Sequence, residues 1–252
     1  MPVLAHVSDL HLDGGPRATA RAARVTAHLA GLPVDALLVT GDIADGGRPE
    51  EYAQARGLLD RLPYPVLTCP GNHDVRAAYR DVLLDGSDGE PDADGFDADG
   101  PVNRASRVGD HLVAMLDSTI PGQGGGHLAD ATLAWLDRTL SVAPDVPAVV
   151  ACHHPPVALH LPYVDAIRQE GADRFAAVLA GHPQVVAVLC GHAHTAAATT
   201  FAGRPLRVGP GVASTSTLPW ERGGLLDLGQ PPGVAFHVVD DDGVTTHYRV
   251  VP

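Results

Sequence analysis

Apolar runs of strand length alternate with helix-period segments along most of the chain, the pattern of a layered α/β fold. Residues 3–8 predict a strand. Residues 18–32 predict a helix, with Ala22, Val25, Leu29 and Leu32 at helical spacing. The next strands are expected over 35–40 and 65–69, with a helix over 50–62 between them and another starting near Val75. Further strands are predicted over 111–117, 148–152 and 185–190, and helices over 130–140 and 165–180. After Cys190 the texture changes to short strands at 196–201, 206–208, 234–239 and 245–251. There Asp241-Asp242-Gly243 is a hairpin signal. With no internal repeat and no linker, residues 1–252 read as one domain.

Composition narrows the partners. At 252 residues, 45% hydrophobic and 19% charged, the chain has the make-up of a globular protein. No apolar run reaches the roughly 18 residues of a membrane span, and no signal peptide is evident at the start. Cys69, Cys152 and Cys190 are far apart and match neither a disulfide framework nor a zinc knuckle, so a reducing, cytoplasmic setting is expected. Lys and Arg number 17 against 30 Asp and Glu, a formal charge of −13, which argues against a nucleic-acid duplex as partner. The acidic stretch 85–100 begins like a calcium loop at Glu90, Asp92, Asp94 and Gly95. Its closing position is Pro101, however, so it reads as a solvated loop.

The fourteen histidines change the picture more. His6, His28 and His247 sit within predicted elements and read as surface or satisfied interior residues. Six others fall in polar clusters, each just past an apolar strand. The clusters are Asp9-Leu-His11, Gly41-Asp42-Ile-Ala-Asp45, Gly71-Asn72-His73-Asp74, Cys152-His153-His154-Pro-Pro, and Gly191-His192-Ala-His194. Any one of them has a bland reading as a turn or a helix cap. Five together, at the strand ends where α/β sheets bind ligands, point to one site assembled from distant parts of the chain.

The ordered set Asp-x-His, Gly-Asp-x-x-Asp, Gly-Asn-His-Asp, His-x-Pro, Gly-His-x-His resembles the signature of the calcineurin-like metallophosphoesterases. Asp117-Ser118 and the Gly126-His127-Leu128 stretch are similar to its bacterial cyclic-nucleotide phosphodiesterase branch. The resemblance implies a four-layer α/β sandwich of two facing mixed β-sheets flanked by helices. It also implies two transition-metal ions, one held by Asp9, His11 and His194, the other by Asn72, His153 and His192, with Asp42 bridging. Carboxylate, amide and imidazole donors suit Mn, Fe or Zn. A hydroxide between two cations about 3.5–4 Å apart would attack phosphorus. His73, oriented by Asp45, would protonate the leaving alkoxide.

Asp74 is expected to cap the helix starting near Val75. His153 is preferred over His154 as ligand because the family's histidine stands two before a proline, and His154 is left to support the site or touch substrate. The cysteines read either as a redox-sensitive rim or as small residues packing at strand ends. Gly46 stands where some branches carry a phosphate-clamping Arg, and Asp45 where purple acid phosphatases carry Tyr. Selectivity would then come from loops at 14–17, 85–100, 120–127, 160–163 and 214–222. The expected substrate is a small phosphodiester, with cyclic nucleotides among the candidates. The alternatives are a phosphomonoester, a glycerophospho- or nucleotide-linked diester, or a scaffold that has lost its metals. The motifs leave the oligomeric state open, a homodimer included.

Overall fold

Side-chain alternation along the strands sets the layers. The computed structural model describes residues 1–84, 100–240 and 243–252. The chain opens with β1 (Val3–Val7), α1 (Pro16–Ala30), β2 (Ala36–Thr40), α2 (Pro49–Leu59) and β3 (Val66–Cys69). Both helices start on a proline, whose missing N–H costs nothing at that position. A short α3 (Arg76–Ala78) runs into a π-turn at Tyr79–Leu83. Then come β4 (Arg104–Val108), β5 (His111–Leu116), β6 (Gly126–His127), α4 (Asp130–Ser141) and β7 (Ala148–Cys152). After α5 (Pro162–Ala166), β8 (Gln169–Glu170) and α6 (Ala172–Ala180), the chain enters β9 (Val185–Cys190), β10 (Ala197–Phe201) and β11 (Arg204–Val208). It ends with β12 (Thr215–Ser216), β13 (Leu226–Asp227), β14 (Gly233–Val239) and β15 (Val244–Val250).

Two mixed sheets result, ordered β15-β14-β1-β2-β3 and β10-β11-β9-β7-β5-β4. On β1 and β2, Ala5, Val7, Leu37 and Val39 pack with α1 and α2, while Leu4, Ala36 and Leu38 point the other way. On β5 and β7, Leu112, Ala114, Leu116 and Val150 pack with α4 and α6. Val113, Met115, Val149 and Ala151 meet Leu4 and Leu38 in a cluster shared by both sheets. Helix, sheet, sheet, helix is therefore the layer order. Within each sheet the central strands are parallel, β1 with β2 and β3, and β5 with β7, β9 and β11.

The expected helix over 165–180 is two elements. Gly171 takes φ +64° and separates α5 from α6, and β8 between them pairs with β6. The apolar spacing runs across this break, which is why the sequence reads as one helix. Edge strand β4 was not expected, because its Arg104-Ala-Ser-Arg-Val108 sequence has few apolar positions to mark it. Between β14 and β15 the ladder reaches Val239 and Val244, as a hairpin requires, with Asp241 and Asp242 outside the described residues. The calcium-loop test on Glu90, Asp92, Asp94 and Gly95 falls outside them too. Among the described residues no helix is long and apolar enough to cross a membrane.

Candidate metal centre and cleft

The loops leaving β1, β2, β3, β7 and β9 converge at one end of the two sheets. They bend sharply to do so. Asp9, His11, Asp42, His192 and His194 all have φ between +43° and +67°, a left-handed conformation that costs a non-glycine residue roughly 1–2 kcal/mol. Asp and His tolerate it better than most, yet five such residues in one place is stored strain of the kind found at functional sites. The loops also pass very close. A Cβ at Gly71 would run into the Asp42 carboxylate, and one at Gly191 into the Ser8 hydroxyl.

The donors form two groups joined at Asp42. On one side His11 Nε2 lies 3.1 Å from His194 Nε2, and His194 Nε2 lies 3.4 Å from Asp9 Oδ1. On the other, His153 Nε2 lies 3.1 Å from both Asn72 Oδ1 and His192 Nδ1. Asp42 Oδ2 stands between, 3.5 Å from His11 Nε2 and 3.4 Å from His153 Nε2. Its other oxygen accepts the His73 backbone N–H at 2.9 Å.

Outer contacts fix which nitrogen faces inward. His153 Nδ1 donates to the Thr40 carbonyl at 2.7 Å, and His11 Nδ1 to the Asp45 carboxylate at 3.0 Å. His194 Nδ1 meets Ser214 Oγ at 2.7 Å. The acceptors behind His153 and His11 turn an Nε2 lone pair of each ring inward, the tautomer that metal-bound histidines need, and the Ser214 hydroxyl can complete the same arrangement at His194. Lone pairs facing each other at 3.1 Å repel unless a cation sits among them. Both oxygens of Asp9, buried, have no hydrogen-bond partner. A cation with bonds of about 2.0–2.2 Å spaces its donors roughly 3.0–3.5 Å apart, the spacing found here. The residues fit two such ions.

Without a cation, protons take its place. Burial opposes charge on His153, but the Asp42 carboxylate wins and pushes the imidazole up to about 9. Burial also opposes charge on Asp42, and His153 with His11 nonetheless holds that carboxyl well below the usual range. Burial dominates at His192 and His194 and lowers both. At His11 burial is outweighed by Asp45, Asp42 and Asp9, and the group is raised.

Several expectations change. Asp45 gives its carboxylate to His11; His73 instead bonds the Asp45 main-chain oxygen at 2.8 Å and lies 3.8 Å from the carboxylate. Asp74 is not a helix cap. It accepts from the backbone N–H of Ile43, Ala44 and Gly71, and so ties the Asp42 loop to the Asn72 loop. Burial, then the nearby Asp42 charge, raises its carboxyl to about 6. His154 does not line the cleft, and its ring packs against those of His153 and His192 at 4.8 and 4.6 Å between centroids, the supporting place left open for it. Its ring nitrogens meet Ser118 Oγ at 2.9 Å and the Gly124 carbonyl at 3.2 Å, and burial lowers it to about 3. Asp117 accepts from Arg76 at 2.7 Å and from Val102 N at 2.9 Å, an anchor beneath the His73 loop. The three cysteines are buried in the packed layers and none lines the cleft, as the packing reading expects.

Above the donors lies a cleft of about 330 Å³, with Asp45, His73 and Arg17 on its wall. Residues 120–127 do not line it. Leu225, Leu226 and Leu228 do, beyond the 214–222 loop that the sequence singled out. Arg17 on the cleft wall is bonded to the Ala213 carbonyl at 2.5 Å and the Leu228 carbonyl at 3.1 Å.

A family model described as calcineurin-like phosphoesterase matches residues 2–196. The glycerophosphodiester phosphodiesterase GpdQ of Enterobacter lignolyticus is 38% identical over 79% of this chain and 73% of its own. A cAMP/cGMP dual specificity phosphodiesterase of Mycobacterium tuberculosis is 32% identical over 99% of this chain and 79% of its own. Among solved structures, a dimetal phosphatase from Danio rerio superposes with a TM-score of 0.70 at 13% identity, covering 100% of both chains, which shows the shared fold.

Proposed function

The chain belongs to the calcineurin-like phosphoesterases, and on that premise we propose that it hydrolyses small phosphodiesters at the cleft above Asp42. Membership makes it a metal-dependent phosphoric ester hydrolase with a two-metal centre. The assignment of ligands follows the two donor groups: Asp9, His11 and His194 for one cation, Asn72, His153 and His192 for the other, and Asp42 for both. The carrying observation is the set of closely facing donors around Asp9 oxygens that have no hydrogen-bond partner among the described residues. This donor set suits Mn, Fe or Zn. When bound, the cations activate water and neutralise charge on the phosphoryl oxygens.

The chain's own residues supply the rest. Thr40, Asp45 and Ser214 hold three of the ligand rings in register. Asp74 locks the Asp42 and Asn72 loops together. His73 lines the cleft with its Nδ1 held on the Asp45 carbonyl, which leaves Nε2 to give a proton to the departing alkoxide. The Asp45 carboxylate stands 3.8 Å from the same nitrogen.

Two relatives named for phosphodiesters favour diesters over monoesters, and their names put both glycerophosphodiesters and 3′,5′-cyclic nucleotides on the panel to be tested. The reaction is assigned to the cytoplasm, with residues 1–252 acting as one domain. Steady-state kinetics of metal-reconstituted protein on cyclic AMP, bis(p-nitrophenyl) phosphate and p-nitrophenyl phosphate tests the reading. Higher kcat/KM for the diesters is expected; a monoester preference would overturn it.

A further inference from the structure

Four of the nine exposed large hydrophobic residues among those described line the cleft: Tyr163, Leu225, Leu226 and Leu228. Such clustering on a protein surface marks a binding site more often than accident. A second cavity of about 290 Å³ opens beside the first, and Tyr163, Val164, Ser216 and Leu225 line both. No charged side chain lines it; apart from the Ser216 and Thr217 hydroxyls and the Tyr163 ring its walls are apolar.

These apolar residues are held in place rather than collapsed inward. Thr217 N donates to the Leu225 carbonyl at 3.0 Å, and Ser216 pairs with Leu226 across β12 and β13. Arg17 bonds the Leu228 carbonyl and so pins this stretch from the opposite wall. On the other side, Asp165 accepts from Leu159 N at 2.7 Å and fixes the turn into α5, which carries Tyr163 and Val164. Fixed apolar walls joined to a small group of convergent polar donors are the usual make-up of a small-molecule site.

We propose that the second cavity takes a neutral, flat apolar substituent of the diester, an aryl group or a nucleobase, while the phosphoryl group sits over Asp42. The proposal rests on the phosphodiesterase reading and adds the chemical class of the substituent. A ligand is favoured over a second copy of the chain because the cavity is concave and shares four wall residues with the metal cleft. One molecule can therefore reach both. A glycerol substituent would bring hydroxyls against Tyr163, Val164 and Leu225, with few polar partners to replace water.

The test compares bis(p-nitrophenyl) phosphate with methyl p-nitrophenyl phosphate on the metal-loaded enzyme, since both release the same leaving group. The wild type should prefer the diaryl ester in kcat/KM by roughly 10–100-fold, the scale of burying one ring. In Tyr163→Ala and Leu225→Ser that ratio should fall to within about threefold of one. Both residues are exposed, so the variants should fold, and circular dichroism checks this. Adenosine binding to the metal-free protein, followed by calorimetry, is the arm independent of catalysis. It should weaken about tenfold or more in both variants. A wild-type ratio near one, or a ratio and an adenosine affinity that survive both substitutions, would overturn the proposal. So would sedimentation showing a dimer that Leu225→Ser dissociates while the ester ratio stays put. If neither ester is hydrolysed, the phosphodiesterase reading fails and adenosine binding alone decides the cavity.

Discussion

His6 and His237 are as deeply buried as His153, and they stand on β1 and β14, in the same sheet that delivers Asp9 and Asp42. His6 Nδ1 lies 3.1 Å from His237 Nε2, the same separation as His11 from His194. The resemblance stops at the outer contacts. His6 Nε2 meets the Thr40 hydroxyl at 2.8 Å and His237 Nδ1 the Thr246 hydroxyl at 2.9 Å, so every ring nitrogen has a partner that can give or take a proton. Among the described residues no carboxylate contacts the pair, neither backbone is left-handed, and burial keeps both rings neutral. At the loop cluster the outer partners of His11 and His153 are pure acceptors, their inner nitrogens present lone pairs, and the Asp9 carboxylate oxygens have no hydrogen-bond partner among the described residues. Burial and histidine content are common to both; what separates a cation site from a packed polar pair is where the lone pairs point and whether a carboxylate faces them.

The largest expected effect comes from removing the shared carboxylate. Asp42→Asn should bind at most one ion per chain by elemental analysis and lose at least ~10³-fold in kcat/KM, beyond the 10–100-fold typical of an outer partner. His6→Gln should keep the full metal content. Two ions in Asp42→Asn, or a lost ion in His6→Gln, would break the comparison at its root. Next in size, His73→Ala should lower turnover about 10²-fold for diesters with alkoxide leaving groups and far less for p-nitrophenyl esters, with metal content unchanged. Equal losses for both would give His73 a phosphoryl-binding role. Ser214→Ala sharpens the contrast at a hydroxyl: it should weaken metal affinity 10–100-fold by releasing His194, whereas Thr246→Ala should not move it.

Much of this was legible in the chain. The strand alternation marks the layers, and the five motifs bring all seven proposed ligand positions to one end, because parallel strands deliver their exits to a common edge. What stayed hidden depends on contacts between distant residues. Asp45 precedes His73 in the motif order, and only the folded loops show its carboxylate turning to His11. Asp74 stands just before the helix expected near Val75 and so reads as its cap, yet its three backbone partners lie 3–31 residues away. The 214–222 loop was expected beside the site, but the Ser214 bond to His194 and the 225–228 wall carry no motif, and that wall is placed by the β12–β13 pairing and by Arg17. The break at Gly171 was open to view in principle, since a glycine interrupts the helical run there.

The smallest effect is on stability and belongs to the packed pair. Burial lowers His6 to about 3, against about 6.5 in an unfolded chain. Between those values the unfolded state binds a proton that the native ring refuses, so protonation favours unfolding. The stability contributed by the neutral ring is complete above pH ~6.5 and is lost as pH falls towards 3, at up to about 1.4 kcal/mol per pH unit for one such group. Below pH 3 the slope vanishes. Other histidines also titrate here, His153 in the opposite sense because its raised value stabilises the native state until pH rises through about 9. The difference between wild type and His6→Gln isolates His6 together with the His237 ring bonded to it. Urea unfolding of metal-free protein at pH 7, 6 and 5 should show the wild-type advantage shrinking steadily towards acid pH. A constant difference across that range would mean that the ring takes up a proton within the fold, and that the packed pair is less unlike the metal cluster than its hydroxyl partners imply.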